Sequence, residues 1–343
     1  MLTTQSPYHQ PVLSLGFDFR HKKPLVAMKT KMQVPYVLDK GQTRYFHQLP
    51  SGLKMEVISQ KGHQNDTFGK PRPPLVFVHG SFHAAWCWAP HWLPFFSEFG
   101  YDCYALSLLG QGESDVPQGP AAGTLQTHAS NIADFILKEF RLPPVLIGHS
   151  FGGLIVQNYI SDMALSHEIH NQSKCDNIHP ALTGAVLVCS VPPSGNSGLV
   201  WRYLLSKPVA AFKVTLSLAA KAFATSLPLC KETFFSPGIE DDLVKRYQEL
   251  MKGSSKVPLF DLRKLNATLP SPPVSGDVLE VLVLGASDDF IVDAEGLNET
   301  ARHYGVRPVC VEGVAHDMML DVSWKKGARV ILSWLNSLNR VEC

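Results

Sequence analysis

Residues 145–153 read Val145-Leu146-Ile147-Gly148-His149-Ser150-Phe151-Gly152-Gly153. The apolar run at 145–147 predicts a short strand buried on both faces. Residues 154–160 are mostly apolar and predict a helix beyond it. Between the two stands a hydroxyl among glycines, where a core would prefer another Val. Gly148-x-Ser150-x-Gly152 at a strand-to-helix junction has the form of a nucleophile held on a tight bend. Such a bend is strained and crowded, so the neighbours of the serine must be small. The helix that follows points free N–H groups and the positive end of its dipole at the hydroxyl, which favours negative charge there. The plainer alternative is a helix-capping serine. The strand, the helix and the additional Gly153 favour the nucleophile.

Working outward, further strands are predicted at 44–48 and 53–59, flanking a Pro50-Ser51-Gly52 turn, and at 75–78, 101–108, 185–189, 281–284 and 308–311. Helical spacing falls between them. Leu125, Ala129, Ile132, Ala133, Ile136 and Phe140 recur behind Thr124, and Trp324, Ala328, Ile331, Leu335 and Leu338 recur near the end. Alternating strands and helices imply an α/β fold with a mainly parallel central sheet and helices on both faces. The alternation breaks between 193 and 277, where Pro and Gly punctuate helical segments at 199–205, 209–227 and 239–251. This stretch is expected to be a helical cap inserted into the α/β unit. The organisation is then a leader at 1–43, a first core portion at 44–192, the cap at 193–277 and a second core portion at 278–343.

The 343 residues are 45% hydrophobic and 18% charged, with a formal net charge of +1. No global field argues for nucleic acid or an anionic membrane surface as partner. No apolar run is long enough to span a bilayer; Lys213 and Lys221 interrupt the best candidate, 209–229. The seven cysteines are dispersed, without CxxC or metal-type spacing, which favours reduced thiols and no bound metal. Cys189 and Cys310 lie in strand-like runs and are expected to be small core residues. In the leader only Asp18 and Asp39 offset Arg20, Lys22, Lys23, Lys29 and Lys31. That composition suits a transit peptide, so the expected location is a plastid (chloroplast). A flexible tail on a cytoplasmic protein is the alternative.

A serine needs a base, and the base needs an orienting acid. In an open parallel sheet these emerge at the carboxyl ends of other strands. The run 281–285 leads into Ala286-Ser287-Asp288-Asp289, and 309–312 into Gly313-Val314-Ala315-His316-Asp317. The chain order Ser, Asp, His, together with the bend at Ser150, resembles the α/β-hydrolase superfamily from about residue 70 onward, and within it plant-type serine esterases and lipases. That resemblance implies a triad of Ser150, Asp288 and His316. Asp288 is preferred because the family's acid commonly stands three residues after a strand-closing glycine; Asp289 is the alternative. It also implies that His79-Gly80-Ser81-Phe82 supplies an oxyanion hole, through the backbone N–H groups of Ser81 and Phe151. His79 is expected to order that loop.

One departure is visible. Many relatives carry Asp three residues before the first glycine of a segment like Gly110-Gln111-Gly112, where this chain has Ser107. Residues 81–88, SFHAAWCW, also resemble plant methyl esterases and hydroxynitrile lyases. The lyases carry Lys after the catalytic histidine and Thr in place of Gly80; here Asp317 and Gly80 stand there. A serine rather than an aspartate at 150 separates the chain from epoxide hydrolases and dehalogenases. The resemblance therefore implies cofactor-free hydrolysis of a small or medium hydrophobic carboxylic ester through an acyl-enzyme on Ser150. A receptor that keeps the triad with negligible turnover and an acyltransferase using the same residues are the alternatives. Phe82, Trp86, Phe212 and Phe223 are expected to line the substrate pocket, although the cap aromatics could equally form its own core. Oligomeric state is left open.

Overall fold

The computed structural model describes residue 32 and residues 36–63, 71–170, 179–206, 208–270 and 279–338. Among the described residues eight strands form one sheet: β1 Gln42–Gln48, β2 Lys54–Gln60, β3 Leu75–Val78, β4 Cys103–Leu106, β5 Val145–His149, β6 Gly184–Val188, β7 Val281–Ala286 and β8 Val309–Val311. The described residues also form the α-helices α1 Trp92–Glu98, α2 Leu125–Glu139, α3 Phe151–His170, α4 Ser197–Ser206, α5 Pro208–Ala219, α6 Leu227–Phe234, α7 Asp241–Ser254, α8 Leu262–Ala267, α9 Ala294–His303 and α10 Trp324–Leu338.

The strand order is β1-β2-β4-β3-β5-β6-β7-β8. The β1/β2 and β2/β4 pairs are antiparallel, and every pair from β4/β3 to β7/β8 is parallel. Strands β3, β5 and β6 are buried along their whole length, which is why each reads as an unbroken apolar run. Their side chains alternate between two cores. Phe77, Ile147 and Val186 pack with Trp92 and Phe96 of α1 and Ile331 of α10. Val76, Val78 and Leu146 pack on the opposite face with Ile132 of α2, Ile155 of α3 and Leu297 of α9. Thr124 caps α2 as expected, its hydroxyl accepting from the Thr127 N–H at 3.1 Å.

Chain direction sets the position of the site. From β3 the chain crosses to β4 on one side and then to β5 on the other. At that reversal the carboxyl ends of β3 and β5 lie side by side with no covering crossover, which leaves a crevice. The helices α4 to α8 all fall between β6 and β7, in the stretch where a cap was expected.

Two expectations change. The leader was expected to reach residue 43; residues 1–31 and 33–35 lie outside the described residues, yet Met32 and Tyr36 are buried in the core and β1 opens at Gln42. The packed chain therefore begins before residue 44. Cys189 is buried as expected, but Cys310 is exposed, because β8 is the last strand of the sheet and has a neighbour on one side only. No described helix is long and apolar enough to cross a membrane.

Candidate active site

Strand β5 ends at His149 and α3 begins at Phe151, so Ser150 alone makes the turn, with φ at 54°. A left-handed φ in a non-glycine residue costs on the order of 1–3 kcal/mol and persists only where the surroundings enforce it. Here they do. The Ser150 N–H donates to the Val188 carbonyl at 3.1 Å, and its own carbonyl accepts from Gly153 N–H at 3.0 Å. Two glycines permit the close approach that this requires. A Cβ at Gly152 would collide with the carbonyl oxygens of Val78 and His79, and a Cβ at Gly80 would lie 2.8 Å from Ser150 Cβ.

His316 follows β8 and is buried beside Asp289. Its Nδ1 lies 2.8 Å from Asp289 Oδ2 and 3.0 Å from Oδ1, and both side chains are 2% exposed. The expected acid, Asp288, is not the residue in this position. Its backbone N–H donates to the Val314 carbonyl at 3.0 Å, while its carboxylate takes a bond from the exposed Ser287 hydroxyl at 2.8 Å. The next carboxylate in the turn after β7, that of Asp289, is the one that turns inward. Asp289 Oδ1 is further fixed by the N–H groups of Ile291 and Val292, at 2.7 and 2.9 Å. Burial alone would lower the His316 pKa, but the charge and hydrogen bond of Asp289, with Asp317 behind them, outweigh it and hold the pKa above the usual imidazole value.

Ser150, His316, Ser81 and Phe151 all line one cavity of about 350 Å³. No hydrogen bond joins Ser150 Oγ to His316 among the described residues; such contacts often tighten only around substrate. The cavity wall opposite is apolar, built by Leu199, Val214, Leu218, Leu259, Phe260 and Ile291. Of the expected pocket aromatics only Phe82 lines it. Trp86 is buried below, its indole N–H donating to Ser254 Oγ at 2.7 Å. Phe223 is packed behind Phe82, with ring centroids 4.8 Å apart. Phe212 is 67% exposed on the outer face of α5. The segment between β6 and β7 therefore reaches the cavity through Leu199, Val214 and Leu218 of α4 and α5 and through Tyr203, Phe234 and Phe260, and not through Phe212 or Phe223.

Of the other buried polar groups, the sequence singled out His79 but not His83, His149 or Glu56. His79 Nδ1–H donates to the Gly80 carbonyl at 2.7 Å and Nε2 accepts from Leu108 N–H at 3.0 Å, so it does order the loop after β3, and burial drives its pKa down to about 3. His83 bridges the Ser81 carbonyl and the Asp317 carboxylate. His149 Nε2 meets the His316 carbonyl at 3.0 Å, and burial with His316 alongside lowers its pKa to about 3. The carboxylate missing at Ser107 is replaced by Glu56 of β2. Glu56 Oε2 accepts from Ser107 Oγ at 2.6 Å and Glu113 N–H at 2.9 Å, and Oε1 pairs with Arg44 at 2.6 Å. Among the described residues two groups of potential metal ligands, His149/His316/Asp317 and Cys189/Asp289/His316, have atoms within 4.8 Å of one another. Both draw on His316, so a cation at either would compete with the imidazole–carboxylate bond.

Known proteins agree with this architecture. The chain is 28% identical to protein phosphatase methylesterase 1 of Homo sapiens over 159 residues, which is 43% of this chain and 38% of that protein's length. An esterase from Exiguobacterium antarcticum superposes with a TM-score of 0.63 at 19% identity, covering 85% of this chain and 98% of the esterase. A bromoperoxidase from Bacillus anthracis superposes with a TM-score of 0.59 at 16% identity, covering 86% and 100%. At such identities these structures show a shared fold and nothing finer. The alpha/beta hydrolase family profile matches residues 75–326, from the first strand of the parallel sheet into α10, and the chain belongs to that family.

Proposed function

We propose that the protein is a serine carboxylesterase acting on a small or medium hydrophobic ester, with Ser150 as nucleophile, His316 as general base and Asp289 as the orienting acid. The observation that carries this reading is that Ser150 and the Asp289-bound His316 face one largely apolar cavity of about 350 Å³. In the proposed sequence His316 Nε2 takes the Ser150 proton as Oγ attacks the ester carbonyl. The Asp289 carboxylate holds the proton of Nδ1 and stabilises the imidazolium. The Ser81 and Phe151 N–H groups receive the developing oxyanion, a contribution on the order of 3–4 kcal/mol per donor. His316 then protonates the leaving alcohol, and water, activated in the same way, clears the acyl group from Ser150. The cavity volume lies near the lower end of the usual range for small-molecule sites, which supports a compact acyl or alcohol portion. The methylesterase name among the curated relatives supports ester hydrolysis.

The test is a panel of p-nitrophenyl esters of graded acyl length, together with fluorophosphonate labelling, on wild type and Ser150→Ala. Turnover of short and medium esters and labelling confined to Ser150 are expected. A folded wild-type protein that neither turns over any ester nor labels would overturn the proposal.

A further inference from the structure

Beside the triad lies a second imidazole–carboxylate contact that the reaction scheme leaves unused. His83 Nδ1 is 2.8 Å from the Ser81 carbonyl oxygen and Nε2 is 2.9 Å from Asp317 Oδ2. The two side chains are 1% and 0% exposed. A backbone carbonyl can only accept, and so can an ionised carboxylate. A neutral imidazole has one N–H and cannot donate to both. Satisfying both contacts therefore requires one extra proton in the pair, as imidazolium with carboxylate or as imidazole with carboxylic acid. The surroundings favour the first. Trp86 lies tilted against the His83 ring, with centroids 5.6 Å apart, and Phe234 makes an edge contact at 6.1 Å. Burial would raise the Asp317 pKa, but His83, His149 and His316 together hold it below the usual carboxylate value.

The two ends of this bridge matter because of what they adjoin. Ser81 is the residue whose N–H faces the oxyanion in the proposed reaction, on the loop after β3. Asp317 directly follows His316 on the loop after β8, and its own N–H is anchored to the Phe234 carbonyl at 3.0 Å. We propose that His83 and Asp317 form a one-proton clasp between these two loops and act as positioning residues that hold oxyanion donor and general base in register. This rests on the esterase reading above. Both side chains border the cavity that Ser150 and His316 face, but neither is hydrogen-bonded to Ser150, and most of the wall is apolar; the clasp therefore contributes chiefly to alignment in the transition state.

The experiment compares kcat and KM for a p-nitrophenyl ester, with fluorophosphonate labelling at Ser150 and thermal melting, in wild type, His83→Asn, His83→Gln, Asp317→Ala and Asp317→Asn. The Asn amide at 83 mimics the Nδ1 donor and keeps the Ser81 bond alone; the Gln amide mimics Nε2 and keeps the Asp317 bond alone. Each cuts one side of the clasp, so each is expected to lower kcat by about tenfold to 100-fold, as misplacement of a reacting group does. KM should stay within about twofold, since the apolar wall that supplies most of the ground-state contact is unchanged. Asp317→Ala should fall similarly. Asp317→Asn should recover most of that loss, because its NH2 can donate to a neutral His83 and complete the clasp without the extra proton. If Asp317→Ala does not fold, the comparison of Asp317→Asn with the two His83 variants decides. Full kcat in both His83 variants, a loss confined to KM, or an Asp317→Asn variant that is folded yet as slow as the His83 variants would each overturn the clasp. Wild type that labels at Ser150 alongside such results leaves the esterase reading standing, whereas wild type that neither labels nor turns over removes both.

Discussion

Asp289→Asn should silence the reaction, and the structure says why this conservative change is so damaging. Asp289 Oδ1 is already held by the N–H groups of Ile291 and Val292, at 2.7 and 2.9 Å. In the variant these two donors select the amide oxygen for that position. The NH2 must then occupy the place of Oδ2, which lies 2.8 Å from His316 Nδ1. A donor there requires Nδ1 to be the unprotonated nitrogen, so the proton sits on Nε2, the atom that should accept from Ser150. The imidazole is thus locked in the wrong tautomer, and the carboxylate that would stabilise an imidazolium is gone. In the template triad this combination costs about 10⁴-fold in kcat, or about 5 kcal/mol of transition-state stabilisation. Asp288→Asn, at the surface beside Ser287, should stay within about threefold of wild type, since a surface change there moves stability by roughly 0.5 kcal/mol at most. Steady-state kinetics on one activated ester, with melting curves to show that both variants fold, is the assay. An Asp289→Asn enzyme within about tenfold of wild type, or equal losses in the two variants, would refute the assignment.

Other consequences are checkable in the same preparations. The acid limb of kcat/KM should inflect above the ordinary imidazole value of about 6.5, because the Asp289 charge raises the His316 pKa and activity is lost as pH falls through it; an inflection at or below that value in a pH–rate profile counts against the pairing. Gly152→Ala should destabilise the fold by about 1–3 kcal/mol, since its methyl meets two backbone carbonyls that cannot swing aside; an unchanged urea midpoint would show that the strand ends are not so closely packed. Glu56→Ala strands Arg44 and the Glu113 N–H and should cost about 3 kcal/mol. Adding Ser107→Asp should return part of that loss by restoring a carboxylate nearby, and strictly additive losses in urea unfolding would contradict the exchange.

The parts of this protein that could be read from its sequence are those decided locally. Strand β5 and the bend at Ser150 are contiguous, and their apolar run and glycines follow from burial on both faces and from crowding. His316 was identifiable because the end of β8 admits one candidate. The acid was not, because Asp288 and Asp289 are chemically identical neighbours and the choice turns on which of them the turn after β7 directs inward. Glu56 stands 51 residues before Ser107, on a strand brought alongside by antiparallel pairing, so no spacing rule connects them. Phe212 and Phe223 looked equivalent as aromatics in one helical stretch. One faces solvent and the other lies beneath Phe82, a difference set by how the inserted helices pack on one another.

The route by which the chain builds its cavity has a further consequence. Ser150, Asp289 and His316 ride on three sheet-end loops, whereas Leu199, Val214 and Leu218 come from a segment that leaves the sheet after β6 and returns before β7. In the proposed reaction, much of the molecular selection and the proton transfer fall to different pieces of chain, although Phe82 and Ile291 of the sheet-end loops also line the cavity. Exchanging α4 and α5 for helices of another length or girth would redefine which molecules are admitted while the reacting trio kept its spacing. For anyone re-engineering this scaffold, that segment is the natural place to begin.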